Sequence, residues 1–186
     1  MARRQVASPY TAAEIETLAV DARRQCTGRR IRAARAIMAL GVGAGLDGRW
    51  VARVKAEDVL FKDPVVLVRV GKPAPRSVPV LAQWEAEIVD LASTAGDQFL
   101  VGGYSTSRNR ASSLASDLEA PPGHPRLSAS RLRSTWLLSH LDAGTRLPEL
   151  AAAAGLEGVT VVSDLLPAVP PIAERDALLL LRGATH

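Results

Sequence analysis

The sequence contains few of the residues that build metal sites and disulfide frameworks. Among its 186 residues Cys26 is the single cysteine, and there are three histidines. One cysteine cannot close a disulfide within the sequence or supply a cysteine-ligated metal cluster, and the histidines follow no ligand spacing. We therefore expect neither a metal nor another cofactor.

Aromatic residues are also scarce, at 4%, although 47% of the residues are hydrophobic. The core must therefore consist mainly of leucine, valine and alanine, in a chain long enough to bury one such core. No apolar run approaches the length that crosses a bilayer, and none follows the basic start of the sequence. These absences favour a cytoplasmic protein that has no membrane partner.

The third scarce residue is lysine, so the positive charge is carried almost entirely by arginine. The sequence has 20 arginines and 3 lysines, and its net charge is +4. A basic balance is compatible with nucleic-acid binding, but rows of arginine on exposed helix faces also occur without that function. Composition permits a nucleic-acid partner without demonstrating one.

Hydrophobic periodicity predicts a mainly α protein with a small three-stranded antiparallel β-sheet, which is an α+β fold. Residues 1–10 are predicted to form a basic N-terminal arm and residues 11–186 a single domain. Apolar residues at helical spacing predict helices over about 11–25, 28–40, 48–54, 82–95, 107–119, 128–143, 147–154, 159–166 and 172–182. Apolar and β-branched runs between turn residues predict strands at 59–61, 65–70 and 77–80, and a short extended piece at 98–101.

Three local signals refine this prediction. Thr11 and Glu14 form a capping box, in which each side chain accepts a hydrogen bond from the other residue's backbone. Gly41, Gly43 and Gly45 are expected to break the second helix. Pro79 lacks a backbone N–H, so it places the third strand at an edge of the sheet.

One predicted helix carries two arginines in its first turns. Ser128 or Ser130 is its expected N-cap, and Gly144 is the expected residue beyond its C-cap. Arg131 and Arg133 would then hold guanidinium donors beside exposed backbone amides, an arrangement that binds phosphate. The alternative is a surface helix whose two arginines face solvent.

The order of helices, three-stranded sheet and further helices resembles the catalytic domain of tyrosine recombinases, the phage integrases. Short strings similar to the family's motifs occur in the family's order at residues 44–46, 55–58, 70–72, 76–80, 132–136, 141–144 and 147–155. The resemblance covers residues 9–166 and implies a recombinase-like domain without the family's N-terminal core-binding domain. It also implies a bacterial or phage-encoded protein, associated with the nucleoid if it binds DNA.

The resemblance further implies which positions would carry the reaction. In this family a tyrosine attacks a DNA phosphodiester, two arginines stabilise the phosphate charge, and a lysine and a histidine assist proton transfer. A further histidine or tryptophan packs near the phosphate. By resemblance these positions fall on Asp47, Lys72, Ser130, Arg133, Leu156 and Leu165.

Only Lys72 and Arg133 match the family at these positions. Arg49 could replace the missing first arginine only if the register changed. No tyrosine follows Tyr104 in this sequence, and the leucine at the nucleophile position has no attacking oxygen. We therefore expect the protein not to be an enzyme.

Three functions remain open. The first is a catalytically inactive, recombinase-like protein with a regulatory or architectural role. It would bind double-stranded DNA with low sequence specificity through phosphate contacts, from Lys72, Arg76, Arg131, Arg133 and Arg49. The second is a recombinase-fold protein-interaction module without DNA binding, favoured by the acidic Asp47 and Glu157 near the former phosphate pocket. The least favoured is an active recombinase with a relocated nucleophile.

The last predicted helix, at residues 172–182, is rich in leucine. Two arrangements are open for it. It packs on the core of its own chain, or, as elements near this end of the family do, it docks on a neighbouring subunit and builds a homo-oligomer.

Overall fold

The computed structural model describes residues 6–183, so the first five residues of the predicted basic arm lie outside the described residues. Within this range the chain is mainly helical with one three-stranded antiparallel sheet, as the sequence predicts. The helices are α1 (Ala12–Arg23), α2 (Gly28–Met38), α3 (Gly48–Val51), α4 (Ala82–Ser93), α5 (Arg110–Ser116), α6 (Ala129–Asp142), α7 (Leu147–Ala154), α8 (Thr160–Leu165) and α9 (Glu174–Leu181). The strands are β1 (Val59–Lys62), β2 (Val65–Val70) and β3 (Arg76–Pro79).

The predicted capping box starts α1. The Thr11 hydroxyl accepts a hydrogen bond from the backbone N–H of Glu14 at 3.2 Å, and the Glu14 carboxylate accepts one from the N–H of Thr11 at 2.8 Å. These contacts satisfy two backbone donors that a helix start otherwise leaves unpaired. Leu18 and Ala22 of α1 are buried, on the side where the helix packs against α2.

The expected helix break is wrong at Gly41 and Gly43, and the helical segment ends just before Gly45, which has a φ of +59°. After α2 the backbone continues as a π-helical turn over Ala39–Gly43, all of it buried. A Cβ atom at Gly41 would lie 2.8 Å from Leu132, and one at Gly43 would lie 2.6 Å from Trp84. These glycines therefore allow α6 and α4 to approach the turn closely, and they do not end the helix.

The sheet has the order β1-β2-β3 with antiparallel pairing throughout. Val68 of the central strand pairs with Val59 on one side and with Val78 on the other, and all three are buried. Pro79 lies on β3, at the edge of the sheet, as its missing N–H requires. The prediction for this proline is confirmed.

Several helices are shorter than predicted, among them those predicted at 48–54 and 107–119. The predicted helix at 48–54 ends at Val51, since the Val54 carbonyl accepts a hydrogen bond from the N–H of Leu100 at 2.8 Å. Lys55 then pairs with Phe99 in an isolated antiparallel bridge, which accounts for the predicted extended piece. The predicted helix at 107–119 is confined to α5.

The central helix is α6, which buries Leu132, Trp136 and Leu137. Ser128 precedes it, but its hydroxyl contacts the Ser130 hydroxyl at 3.0 Å and caps no backbone N–H. The helix therefore starts where predicted, with Ser128 at the N-cap position, but the predicted hydrogen bond from the backbone to the serine side chain is not formed. Gly144 follows the C-cap with a φ of +70°, as predicted.

The carboxy-terminal helices differ in how they pack. The bounds of α7 match the prediction, and α8 buries Val162 and Leu165. In contrast, α9 buries none of its residues. The last helix therefore does not pack on the core of its own chain, which was one of the two arrangements left open by the sequence.

Candidate nucleic-acid interface

A cleft of about 1260 Å³ lies beside the start of α6. Its walls are formed by α3, α5 and the first turns of α6, with Val6 and Ala7 of the amino-terminal segment at one side. Hydroxyl groups are common along these walls. The serines that line the cleft are Ser112, Ser116, Ser128, Ser130 and Ser134.

The charge of this cleft is strongly positive. Asp47 is the only acidic residue among the described residues that line it. A cleft lined by charges of one sign concentrates the electric field and attracts ions of the opposite sign. The arginines that line it are Arg49, Arg53, Arg108, Arg126 and Arg133.

Arg133 reaches the cleft from α6 and is half-buried. Its guanidinium donates a hydrogen bond to the Gly45 carbonyl and another, at 2.7 Å, to the Ala154 carbonyl. Burial lowers the pKa of Arg133, the Asp47 carboxylate opposes this by raising it, and Arg76 lowers it further. Arg133 therefore ties the turn before α3 to the end of α7.

Arg76, the first residue of β3, contacts the same helix end. Its Nε donates to the Ala153 carbonyl at 2.8 Å, and its Nη1 donates to the Ala74 carbonyl at 3.1 Å. Burial lowers the pKa of Arg76, and the Asp47 carboxylate raises it. Two guanidinium groups thus donate to consecutive carbonyls at the C-terminus of α7, where backbone acceptors lack helical partners.

Asp47 is the residue that the resemblance places at the position of the family's first arginine. It is the N-cap of α3, and its Oδ1 accepts hydrogen bonds from the backbone N–H groups of Arg49 at 3.0 Å and Trp50 at 3.1 Å. The carboxylate is therefore held in place inside the cleft, and its charge acts on both Arg76 and Arg133.

Arg131 points away from this cluster towards the amino-terminal segment. Its guanidinium donates to the carbonyls of Ser8 at 2.9 Å and Pro9 at 3.3 Å, pairs with Glu14 at 3.2 Å, and stacks 3.7 Å from the centre of the Tyr10 ring. These contacts use its planar donor fork internally. In this structure Arg131 anchors the chain before α1 to α6.

The remaining predicted DNA contacts are both exposed. Lys72 lies in the turn between β2 and β3, outside the described lining of the cleft. Arg49 lines the cleft, and its guanidinium lies 5.6 Å from the centre of the Trp50 ring. The structure therefore brings Arg49 and Arg133 together at the cleft. Arg76 and Lys72 lie outside the described lining of the cleft, and Arg76 contacts the same end of α7 as Arg133.

The other positions carried over from the family hold residues suited to packing or solvent. Ser130 is exposed at the cleft, Leu156 is half-buried, and Leu165 is 2% exposed in the core. Both tyrosines are engaged elsewhere. The Tyr10 hydroxyl donates to the Arg126 carbonyl at 2.5 Å, and the Tyr104 hydroxyl contacts Asp97 at 2.9 Å.

Sequence reasoning missed three of the arginines at the cleft. Arg53, Arg108 and Arg126 come from the turn after α3, the segment before α5 and the connector before α6. Their positions in the chain are more than 15 residues apart, and no helical or strand periodicity links them. Only the packing of α3 and α5 against the start of α6 brings them together.

Neither a metal centre nor a transmembrane helix is found in the part of the chain that the structure describes. No group of three or more histidine, cysteine or acidic side chains could hold a metal ion there. None of the helices over residues 6–183 is both long enough and apolar enough to cross a bilayer.

Comparison with known proteins shows the class of fold. No protein-family model matches the sequence, and no curated protein matches it by sequence. Solved structures of tyrosine recombinases do match: the chain superposes on XerA recombinase with a TM-score of 0.60 at 14% identity, over 99% of this chain and 68% of that one. The chain therefore has a tyrosine-recombinase-like fold.

The protein chains of two DNA complexes also match this chain in structure. The XerH site-specific recombinase, bound to its palindromic difH substrate after cleavage, gives a TM-score of 0.60 at 12% identity. The Tn1549 transposon integrase, in complex with circular intermediate DNA, gives 0.58 at 15% identity. This chain spans 55% of the XerH chain and 64% of the integrase chain, so the comparison concerns their fold and not their activities.

Proposed function

We propose that this protein is a recombinase-fold DNA-binding protein that does not transfer DNA strands, with a regulatory or architectural role in the cytoplasm. The observation that carries the proposal is the arginine-lined cleft beside α6. Guanidinium groups and serine hydroxyls are the donors that contact phosphate oxygens in protein–DNA complexes. Phosphate contacts of this kind bind duplex DNA with little dependence on base sequence.

The absence of strand transfer is proposed on chemical grounds. No tyrosine or histidine lies among the described residues that line the cleft. A serine hydroxyl needs an adjacent base to become a nucleophile, and the Asp47 carboxylate is already engaged with two backbone N–H groups. The leucine at the family's nucleophile position is buried.

The test is DNA binding by variants of the exposed cleft arginines. Arg108 and Arg126 are exposed, and no described residue accepts a hydrogen bond from their side chains. We expect the double variant Arg108→Gln, Arg126→Gln to bind a labelled random duplex at least about tenfold more weakly in fluorescence anisotropy. The slope of log affinity against log salt should fall by about two, since each lost phosphate contact removes about 0.9.

A charge-matched control separates cleft contacts from net charge. Arg24, the C-cap residue of α1, and Arg29 of α2 are exposed and lie outside the described lining of the cleft. The variant Arg24→Gln, Arg29→Gln should keep most of the affinity. Equal losses in the two double variants would show that the cleft has no special role in binding.

A second candidate function is supported by the carboxy-terminal helix. Leu178 and Leu181 of α9 are 61% and 86% exposed, and Ile172 just before it is 55% exposed. Exposed apolar side chains on one element are typical of a protein-interaction surface. We infer that α9 mediates association with a second copy of the chain, either together with DNA binding or, in a pure interaction module, in place of it.

A further inference from the structure

The pair formed by Arg76 and Arg133 carries two positive charges in a partly buried place. Among the described residues, the hydrogen-bond acceptors of both guanidinium groups are neutral backbone carbonyls, those of Gly45, Ala74, Ala153 and Ala154. Among the described residues neither guanidinium has a carboxylate in direct contact. Carbonyl acceptors satisfy the N–H donors but do not cancel the charge, so a nearby anion would stabilise the pair.

Asp47 is placed to supply that anion. It is the only acidic residue in the described lining of the cleft, and Arg133 lines the same cleft. Arg133 holds the carbonyl of Gly45, two residues before Asp47. The carboxylate is fixed by two backbone N–H groups of α3, so it cannot swing away from the arginines.

We propose that the Asp47 carboxylate is the internal counter-anion of Arg76 and Arg133, and that it sets how strongly the cleft binds an external phosphate. The carboxylate stabilises the pair while the cleft is empty. An incoming phosphate must therefore compete with a charge that the protein already carries. The proposal concerns the same cleft to which we assign DNA binding. Only the DNA-binding experiment described below rests on that proposed function.

The substitution Asp47→Asn tests the charge without removing the helix cap. Asparagine is as good an N-cap as aspartate, because its side-chain oxygen accepts the same backbone hydrogen bonds. The two arginines would then repel each other without a counter-charge. We expect a melting temperature lower by about 3–6 °C, on the scale of the temperature shifts measured for domains of this size.

Added sulfate should restore the stability of this variant. Melting temperatures are measured in sodium sulfate and in sodium chloride at matched ionic strength, because sulfate also stabilises proteins non-specifically. The control is Asp63→Asn, the same change at an exposed residue between β1 and β2. We expect sulfate to raise the melting temperature of Asp47→Asn by several degrees more than that of wild type or the control. An equal sulfate response in all three proteins would overturn the proposal.

A double-variant cycle provides the second test. Removing one of the like charges with Arg76→Gln should make Asp47→Asn much less costly, so the two effects should be strongly non-additive. If Asp47→Asn alone does not fold, the double variant should fold. Additive effects, or loss of folding in both variants, would exclude Asp47 as the counter-anion.

Measuring DNA binding by Asp47→Asn and wild type separates this proposal from the proposed function. Asp47→Asn should bind a random duplex about tenfold more tightly than wild type, since one opposing charge near the phosphate is removed. If neither protein binds DNA but the sulfate response and the double-variant cycle are as expected, the proposed DNA binding is wrong and the assignment of Asp47 as counter-anion is supported. If wild type binds DNA but the effects in the cycle are additive, the assignment of Asp47 as counter-anion is wrong and the proposed DNA binding is supported.

Discussion

At the scale of single residues, the turn before α3 depends on the contact between Gly45 and Trp136. Gly45 has a φ of +59°, in the left-handed region that disfavours a side chain. A Cβ atom there would lie 2.2 Å from the Trp136 ring, which is 1% exposed. The turn that presents Asp47 to the cleft is therefore shaped by both backbone conformation and close packing.

Replacing Gly45 with alanine tests this packing. We expect Gly45→Ala to lower the free energy of unfolding by about 2–5 kcal/mol, from backbone strain of about 1–2 kcal/mol and an overpacking cost of about 1–3 kcal/mol. Gly96 is the matched control, since its φ is +58° and nothing lies within 4 Å of its would-be Cβ. Urea unfolding should show only the strain cost for Gly96→Ala. Equal costs at the two sites would contradict the role of the Trp136 contact.

A second residue-scale feature is His140, one turn after Trp136 on α6. The two rings contact edge to face with centroids 4.5 Å apart, and the His140 Nδ1 lies 3.0 Å from the Thr145 hydroxyl. Its Nε2 is buried without a hydrogen-bond partner among the described residues. Burial lowers the pKa of His140 below its ordinary value of 6.5, because the site disfavours the charged imidazole.

This lowered pKa gives stability a defined pH dependence. As pH falls below about 6.5, the unfolded chain binds a proton at His140 before the folded chain does, so the free energy of unfolding decreases. We expect the contribution of His140 to stability to be complete just above neutral pH and to be lost progressively as the pH falls below about 6.5. The decrease in stability over this pH range should be smaller in His140→Gln, as measured by urea unfolding at a series of pH values. A decrease unchanged by His140→Gln would assign it to other groups.

At the scale of elements, α9 is the helix that the domain does not bury. Three of its leucines, Leu178, Leu180 and Leu181, are exposed and Leu179 is half-buried, whereas α7 and α8 each contribute a buried leucine to the core. An amphipathic helix gains most of its stability by packing its apolar face. The apolar surface of α9 is therefore available to a second copy of the chain.

Removing α9 tests that assignment. A chain ending at Pro171 should melt within about 2 °C of the full chain, because no buried residue is lost. Light scattering over a range of concentrations should show self-association in the full chain, and none after the truncation. The point variant Leu178→Gln, Leu181→Gln should behave like the truncation. Self-association that persists in both would place the interface elsewhere.

Most elements could be predicted from the sequence, because their signals are local. The capping box of α1, the alternation of the strands and the glycine beyond α6 all lie within a few residues of the feature they determine. The π-helical turn could not be predicted, since Gly41 reads as a helix breaker until Leu132 is known to pack against it. Helix ends such as that of α3 depend on partners about 45 residues away, as Val54 and Leu100 show.

At the scale of the whole molecule, the fold predicted from the resemblance is confirmed, and the use of individual arginines is the part that sequence could not reveal. Arg131 and Arg133 are neighbours on one helix, yet the first holds the segment before α1 and the second holds the turn at Gly45. The Ser8 carbonyl lies 123 residues from Arg131 and the Gly45 carbonyl 88 residues from Arg133, although the second acceptor of Arg133, the Ala154 carbonyl, is 21 residues away. Helical spacing predicts where a side chain starts and cannot identify its acceptor.

The measurement that tests the central claim most directly is the salt dependence of binding to a random DNA duplex by the full chain. The account predicts micromolar or tighter binding at low salt. The slope of log affinity against log salt concentration should be about −0.9 for each phosphate contacted, or about −3 to −5 in total for the arginines of the cleft. Absence of binding at low salt, or binding that salt does not weaken, would contradict the account and favour a protein partner.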